Sequence, residues 1–378
     1  MLDTLPSTDG SGAASELVID LGAIKRNYLD LKERLGGVEC GAAVKADAYG
    51  TGVHQVGPAL FEAGCRTFFV ATVDEGITLR DVLPRARIAV LNGLLSGTEE
   101  VFPEHGLVPV INDLEQIARL RQMCVKADRA LKAMLHIDTG MSRLGLTAED
   151  MKWISDEPDV LGGPDWLYAL SHLTTADNPD APSNAAQLAR FKEQLPRLQR
   201  RMKASLANSA GIFLGPDYHF NLARPGFALY GGRVKDGEPS PMAPVVKLSG
   251  RILQVRAVKA GDTVGYGGTH KVQKDGRIAT VAVGYADGYL RSLSSQGVVY
   301  LGERRLPVVG RVSMDMLAVD VSDADRAEVY PGGFVELLGS RYTVNDAADA
   351  AGTIGYEILT GLGHRYTRRY IDAASGEA

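Results

Sequence analysis

The first residue of this chain that could do chemistry is a lysine at the end of a short apolar run. Lys45 closes Cys-Gly-Ala-Ala-Val-Lys (40–45) and leads into Ala-Asp-Ala-Tyr-Gly-Thr-Gly (46–52), a strand-like segment followed by a loop rich in Tyr and Gly. An amine in apolar surroundings loses hydration when charged, so its pKa falls and it becomes a competent nucleophile or base. Such an amine can hold an aldehyde cofactor as a Schiff base. A lysine that merely ends a strand and reaches solvent fits the same local pattern, and the pattern alone does not separate the two. Other polar residues recur just past predicted strand ends. They are Tyr49 in the same loop, Arg143 in His-Ile-Asp-Thr-Gly-Met-Ser-Arg-Leu-Gly (136–145), His172 in Ser-His-Leu-Thr-Thr-Ala-Asp (171–177), Asn208 and Ser209 in Ala-Asn-Ser-Ala (207–210), and Arg224 in Ala-Arg-Pro-Gly-Phe-Ala-Leu-Tyr-Gly-Gly (223–232). Taken singly, Arg143 could pair with a surface acid and His172 could be a satisfied core histidine. Their joint placement weakens that reading, because the strand ends of a parallel barrel meet at one face, where such enzymes build their sites.

The elements that must position these residues follow from the apolar pattern. From about residue 20 to 240, short apolar runs at 39–44, 67–72, 87–91, 107–111, 131–137, 166–170, 205–208 and 227–230 alternate with amphipathic stretches. In 184–202, Leu188, Phe191, Leu195, Leu198 and Met202 mark one face of a helix, with Ser183 as its N-cap. Asp20 is placed to cap a helix carrying Ile24, Tyr28, Leu31 and Leu35. Eight strands mostly separated by helices predict an α/β fold, a closed (β/α)8 barrel of the TIM type. A doubly wound open sheet is the alternative that this pattern does not separate. After about residue 245 the chain reads differently, with strand-like stretches at 248–258, 278–283, 298–301, 306–309, 316–320 and 333–337 between Gly, Pro and Asp turns, and a short helix near 344–350. The expected organisation is a loosely ordered tail at 1–15, a barrel at 16–244 and a mostly-β C-terminal domain at 245–378, with the boundary in Gly232 to Pro244.

Composition narrows the function classes. A length of 378 residues suits two domains. A formal charge of −5 with mixed signs argues against nucleic acid or an anionic membrane surface as partner. No apolar run approaches a membrane span, and the polar start of the chain does not read as a signal peptide, so a cytoplasmic protein is expected. Cys40, Cys65 and Cys124 lack metal-ligand spacing and are expected to be small buried side chains; no metal site is expected.

Four blocks in order carry a resemblance. They are Ala-Val-Lys-Ala-Asp-Ala-Tyr-Gly (43–50), Asp-Thr-Gly-Met-Ser-Arg-Leu-Gly (138–145), Arg-Pro-Gly with Ala-Leu-Tyr-Gly (224–231), and Val-Gly-Tyr-Ala-Asp-Gly-Tyr (283–289) followed by Gly-Arg-Val-Ser-Met-Asp (310–315). From about Glu16 to Arg369 the chain closely resembles the alanine racemases, enzymes that use pyridoxal 5′-phosphate. The resemblance implies interconversion of L- and D-alanine, feeding bacterial cell-wall synthesis. It implies that Lys45 is the Schiff-base lysine and one catalytic base, and that Tyr285 is the second base, delivered by the partner subunit of a homodimer to the opposite face of the cofactor. Racemisation removes a proton from one face and returns it on the other, so two flanking bases make physical sense. A free tyrosine ionises near pH 10; by resemblance, a hydrogen-bonded path through His172 to Arg224 supplies positive potential to Tyr285. Arg224 is implied to face the cofactor's pyridine nitrogen, where a permanently charged guanidinium weakens the electron sink. The resemblance assigns the phosphate to Tyr49, Ser209, Tyr356 and the backbone N–H groups of Gly226 and Phe227, groups Asn208 and His172 with the cofactor site, and gives the substrate carboxylate to Arg143 and the backbone N–H of Met314. Without the resemblance, Tyr356 reads as a half-buried domain tyrosine. Arg311 and Asp177 match the family's entrance corridor.

Two departures stand out. Many family members carry at position 136 a carbamylated lysine that fixes the arginine corresponding to Arg143, whereas this chain has His136, which forms no stable carbamate. Arg143 is therefore expected to be oriented by His136 or another acceptor. Ser313 stands where many members have cysteine. Competing functions are a broader racemase acting on serine or lysine, a pyridoxal-phosphate-dependent decarboxylase, which Arg224 and Tyr285 disfavour, and a non-enzymatic carrier of the cofactor, which needs neither Tyr285 nor Met314.

Overall fold

Parallel strands that are mostly apolar organise residues 24–243, one of two units in the computed structural model, which describes residues 12–372. In order they are Ala42–Ala43, Thr67–Val70, Arg87–Val90, Val108–Ile111, Lys132–His136, Asp165–Leu170 and Lys203–Ser205, each paired with the next in parallel. Leu222–Ala223 then pairs in parallel with Glu39–Cys40, one residue ahead of the first strand. Asn221 N–H donates to Ala204 O (3.0 Å) and Arg224 N–H to Ala207 O (2.9 Å), while Gly41 N–H donates to Ala223 O (2.9 Å). These bonds carry the backbone pairing past the last strand and back to the first, so eight strand positions close a (β/α)8 barrel. Phe68, Phe69 and Val70 are buried, as are Ile88, Ala89 and Val90. Such continuous apolar runs are what strands covered on both faces require.

The helices between strands are set by local capping. Thr72 and Glu75 form a capping box at Val73–Val82, and Thr147 and Asp150 form another at Ala148–Asp156. Asp113 caps Leu114–Lys126 by accepting from Gln116 N–H. Asp20 accepts from Ala23 N–H (2.8 Å) as expected, and Ile24, Tyr28, Leu31 and Leu35 are buried on one face of Leu21–Arg34.

Three local expectations differ from the structure. Residues 227–230 are a 3₁₀ turn, Phe227–Tyr230, and the eighth strand is the preceding Leu222–Ala223. A four-residue apolar run has no period long enough to distinguish a buried turn from a buried strand. The helix expected over 184–202 starts at Pro182 with Ala181 as N-cap, and its α-helical part stops at Gln194 because Pro196 lacks the N–H that would continue it. Ser183 lies inside that helix, with Oγ bonded to Thr175 Oγ1 (2.5 Å), rather than at its cap. The third difference is Ser15–Asp20. It joins no barrel strand but pairs antiparallel with Val246–Val258 and parallel with Thr367–Ile371. The expected tail lies otherwise largely outside the described residues.

That pairing places Ser15–Asp20 in the second unit, which otherwise runs from Pro244. Its eight-stranded sheet follows the order Gly276–Val281, Leu317–Asp320, Arg304–Val309, Val298–Leu301, Phe334–Leu338, Val246–Val258, Ser15–Asp20 and Thr367–Ile371. Val246–Val258 is long enough to pair with three partners, Ser15–Asp20, Phe334–Leu338 and Gly276–Val281, the last of which closes the sheet onto its other end. Its first half alternates buried and half-buried positions, the period of a strand with one covered face. Helices Val344–Ala351 and Gly355–Thr360 complete the unit. Cys40, Cys65 and Cys124 are free and buried.

Candidate active site

Lys45 follows directly on the first barrel strand, and the backbone behind it is strained. Ala46, Asp47, Ala48 and Tyr49 all have φ between 52° and 55°, four successive non-glycine residues in the left-handed region. At about 1–2 kcal/mol per residue, the turn stores roughly 4–8 kcal/mol. Of the four, Asp47 alone is a residue type that visits this region at reduced cost. Gly50 N–H to Ala46 O (2.8 Å) and Gly52 N–H to Asp47 O (2.9 Å) close the turn internally. Asp47 Oδ1 accepts from Val53 N–H (2.7 Å), and Tyr49 stacks on Tyr230 with ring centroids 4.7 Å apart. Burial lowers the pKa of Lys45, the nearby Arg143 guanidinium lowers it further, and the Glu75 carboxylate opposes both.

Arg224 follows the eighth strand and is 6% exposed. Its guanidinium donates to Ser205 Oγ (2.5 Å) and Ser171 O (2.5 Å), and Nη2 lies 3.4 Å from His172 Nδ1. No carboxylate pairs with it among the described residues, and burial pushes its pKa down to about 10. Because an arginine N–H only donates, His172 Nδ1 is the acceptor and Nε2 carries the ring proton. Burial and then Arg224 hold the His172 pKa well below its ordinary value. Gln187 fixes this loop, with Nε2 donating to His172 O (2.9 Å) and Oε1 accepting from Thr174 N–H (2.9 Å).

The fifth barrel strand ends in His136, whose Nδ1 is 2.7 Å from Asn112 Oδ1. Asn112 Nδ2 donates to Leu91 O (3.0 Å) and Val110 O (2.9 Å), so its oxygen must face the histidine and Nδ1 bears the proton. His136 is pushed down to about 4, first by burial and then by Arg224. The loop that follows winds around the Asp138 carboxylate, which accepts from the N–H groups of Gly140, Met141 and Ser142 at 2.9–3.2 Å. It delivers Arg143, which is exposed and makes no hydrogen bond or ion pair among the described residues. The expected link from His136 to Arg143 is therefore not made; the His136 proton goes to Asn112 instead.

Ser209 Oγ accepts from Gly226 N–H (2.9 Å) and Ala228 N–H (3.1 Å), which leaves its own proton to donate outward. The Gly226 amide is thus engaged by Ser209, and the outward donor is the serine hydroxyl. A Cβ on Gly226 would lie 2.2 Å from Tyr49 Oη, so glycine is required where the tyrosine passes. Asn208 Oδ1 accepts from Gly211 N–H (2.8 Å), a local turn contact. Phe227 is buried in the turn that follows Gly226.

The second unit holds the remaining candidates. Gly284, Tyr285, Ala286, Asp287 and Gly288 form a tight turn in which Tyr285 is 42% exposed. Tyr285 N–H donates to Ser313 O (3.0 Å) and Ala286 N–H to Met314 O (2.9 Å). A Cβ on Gly284 would meet Met314 O at 2.3 Å, and Gly288 has φ of 97° with Gly361 O 1.8 Å from a would-be Cβ. The buried Asp287 accepts from Gly284 N–H (2.8 Å) and pairs with Arg365 (3.0 Å). Met314 is exposed, and its own N–H has no hydrogen-bond partner among the described residues. Tyr356 stands exposed in the first turn of Gly355–Thr360.

Models of the alanine racemase N-terminal and C-terminal domains match residues 19–234 and 245–370. The chain belongs to the alanine racemase family. It is 48% identical to the alanine racemase of Rhodospirillum rubrum over 366 residues, 96% of this chain and 98% of that one. To the catabolic alanine racemase of Agrobacterium fabrum it is 46% identical, covering 97% of this chain and 95% of the other. The crystal structure of alanine racemase from Bartonella henselae with covalently bound pyridoxal phosphate superposes with a TM-score of 0.91 at 41% identity, over 95% of this chain and all of that one. Residues that sequence reasoning passed over support the family's motif positions: Glu75, Asn112, Asp138, Gln187, Ser205 and Asp287. Glu75 and Asp287 sit at the third residue of a cap, a signal that could have drawn attention to them.

Proposed function

We propose that the chain is an isomerase that interconverts L- and D-alanine with pyridoxal 5′-phosphate, and supplies D-alanine for peptidoglycan. The observation that carries the reading is the concentration of Lys45, His136, Arg143, His172 and Arg224 at the C-terminal strand ends of a (β/α)8 barrel, where burial first and neighbouring positive charge second hold Lys45 and both histidines toward their neutral forms. A rim of this charge suits a ligand with a phosphate and a carboxylate.

The residues fit the cofactor. Gly226 leaves room that a Cβ would fill, Tyr49 crosses it, and the Ser209 hydroxyl retains a proton for a phosphate oxygen. In this reading Tyr49, Ser209, Tyr356 and the backbone N–H of Phe227 would hold the phosphate, with the Gly226 N–H set behind the Ser209 hydroxyl and Asn208 shaping the turn beneath. Lys45 would hold the aldehyde carbon until the substrate's amino group displaces it and frees the amine to act as a base, and Arg224 would serve the ring nitrogen. When bound, the cofactor supplies the electron sink that makes an amino acid's α-proton removable.

Lys45, lowered in pKa, takes or returns the proton on one face, and Tyr285 does so on the other. Arg143 and the Met314 N–H receive the substrate carboxylate. As the family resemblance implies, we assign Tyr285 and Met314 to the partner chain of a homodimer. No helix among the described residues is long and apolar enough to cross a membrane, in keeping with a cytoplasmic enzyme. The test is incubation of cofactor-loaded protein with L-alanine in heavy water. Deuterium at the α-carbon together with D-alanine supports the reading; exchange without inversion removes Tyr285 from its role, and neither signal refutes alanine as substrate.

A further inference from the structure

The left-handed turn behind Lys45 needs an anchor outside itself, and the neighbouring strand–helix junction supplies one. Glu75 is the third residue of helix Val73–Val82, and its backbone N–H donates to Thr72 Oγ1 (3.3 Å). Its carboxylate reaches two segments at once. Oε2 accepts from Ala71 N–H (2.7 Å) and Thr72 N–H (3.3 Å), while Oε1 accepts from Ala46 N–H, the first amide beyond Lys45, at 2.7 Å. A capping box requires only the exchange with Thr72. The bond to Ala46, 29 residues away in sequence, adds nothing to that helix and fixes the turn instead.

We propose that Glu75 is a positioning residue for Lys45: its carboxylate holds the strained turn that carries the amine and places a negative charge beside it. The proposal rests on the reading of Lys45 as the cofactor lysine and base. Arg143 and His172 face Lys45 from other strand ends, and Asp47 on its own turn is engaged with Val53 N–H. Burial and Arg143 push the amine toward its neutral form, and Glu75 pulls the other way. A base that must both take and return a proton works only if neither form is overwhelmingly preferred. Glu75 supplies that balance through the same atoms that hold the backbone.

The test uses the full chain loaded with pyridoxal phosphate and follows its visible absorbance against pH, a readout independent of turnover. Glu75→Gln keeps the size but loses the charge, so the midpoint reporting on the Lys45 nitrogen falls by on the order of one pH unit. In the same variant kcat falls on the order of tenfold to a hundredfold as the turn loosens. Glu75→Asp keeps the charge on a shorter arm, so the midpoint stays near wild type while kcat falls; it carries the test if Glu75→Gln does not fold. Thr72→Ala removes the cap but leaves the bond to Ala46, so it lowers the melting temperature without moving the absorbance midpoint. An unshifted midpoint in Glu75→Gln, or an equal shift in Thr72→Ala, overturns the proposal. Wild-type protein that neither takes up pyridoxal phosphate nor exchanges the α-proton of alanine overturns the functional reading beneath it instead.

Discussion

Acid should destabilise this protein through His136, and the structure gives the size of the effect. The ring is held neutral by burial and by Arg224, with its pKa near 4, whereas a histidine in the unfolded chain titrates near 6.5. The folded chain therefore binds fewer protons than the unfolded chain between these values. Its stability is full above about pH 6.5 and is lost as the pH falls toward 4. A gap of about 2.5 units at about 1.4 kcal/mol each amounts to about 3 kcal/mol, of which about 2 kcal/mol is gone by pH 5. His172 acts in the same direction, so the measurement must be differential. Urea unfolding of wild type and His136→Asn at pH 7.5 and pH 5 gives the structural cost of the substitution at the higher pH. At the lower pH the variant should recover about 2 kcal/mol relative to wild type. In parallel, carbon-labelled histidine spectra should show one resonance, absent from the variant, that titrates near pH 4. A resonance titrating near 6.5, or an equal loss of stability in both proteins, would refute the claim that His136 is held neutral by burial and by the arginines.

Mixing inactive Lys45→Ala and Tyr285→Ala chains under conditions of demonstrated subunit exchange should restore activity to about one quarter of wild type, since half of the dimers are mixed and each has one intact site; no recovery would place both bases in one chain. Arg224→Glu should raise transamination relative to racemisation by strengthening the cofactor as an electron sink, measured as pyruvate formed per D-alanine formed. Gly226→Ala puts a methyl group 2.2 Å from Tyr49 Oη, so pyridoxal phosphate affinity should fall at least about tenfold by equilibrium binding as Tyr49 is displaced. Asp287→Ala removes a buried carboxylate from Gly284 N–H; the lost bond alone should cost about 2 kcal/mol in denaturant unfolding, and kcat should fall because Tyr285 rides on that turn.

The barrel was legible because its strands are mostly apolar and spaced by amphipathic helices, and seven of the strand positions follow from that alternation. The eighth was not, because Leu222–Ala223 is only two residues long and the more apolar Phe-Ala-Leu-Tyr run beside it is a buried turn. Ser15–Asp20 was invisible for a different reason. Nothing local distinguishes a strand that joins the next sheet segment from one that pairs more than two hundred residues later. At the site, the residues offered to ligands could be picked out by type and position. Their supports could not, because Gln187 and Asn112 read as ordinary polar residues until the chain is folded around His172 and His136.

The same division explains which parts of the site make the chain recognisable. Gly226, Gly284 and Gly288 are fixed by backbone or by Tyr49 passing within 2.3 Å of where a side chain would begin. Asp138 and Asp287 are fixed by the amides wrapped around them. These are steric and hydrogen-bonding demands of a particular backbone path, and they permit very few residue types, so they appear in sequence as motifs. His136 answers a looser demand. The position calls for a side chain that carries no positive charge near two guanidiniums, and more than one residue type can meet it. His136 makes no bond to Arg143, so a substitution there acts on the arginine through charge alone and leaves the path of the chain undisturbed. Of the site residues, His136 is therefore where the strength of carboxylate binding can vary while Lys45, Arg224 and the turn around Tyr285 stay in place.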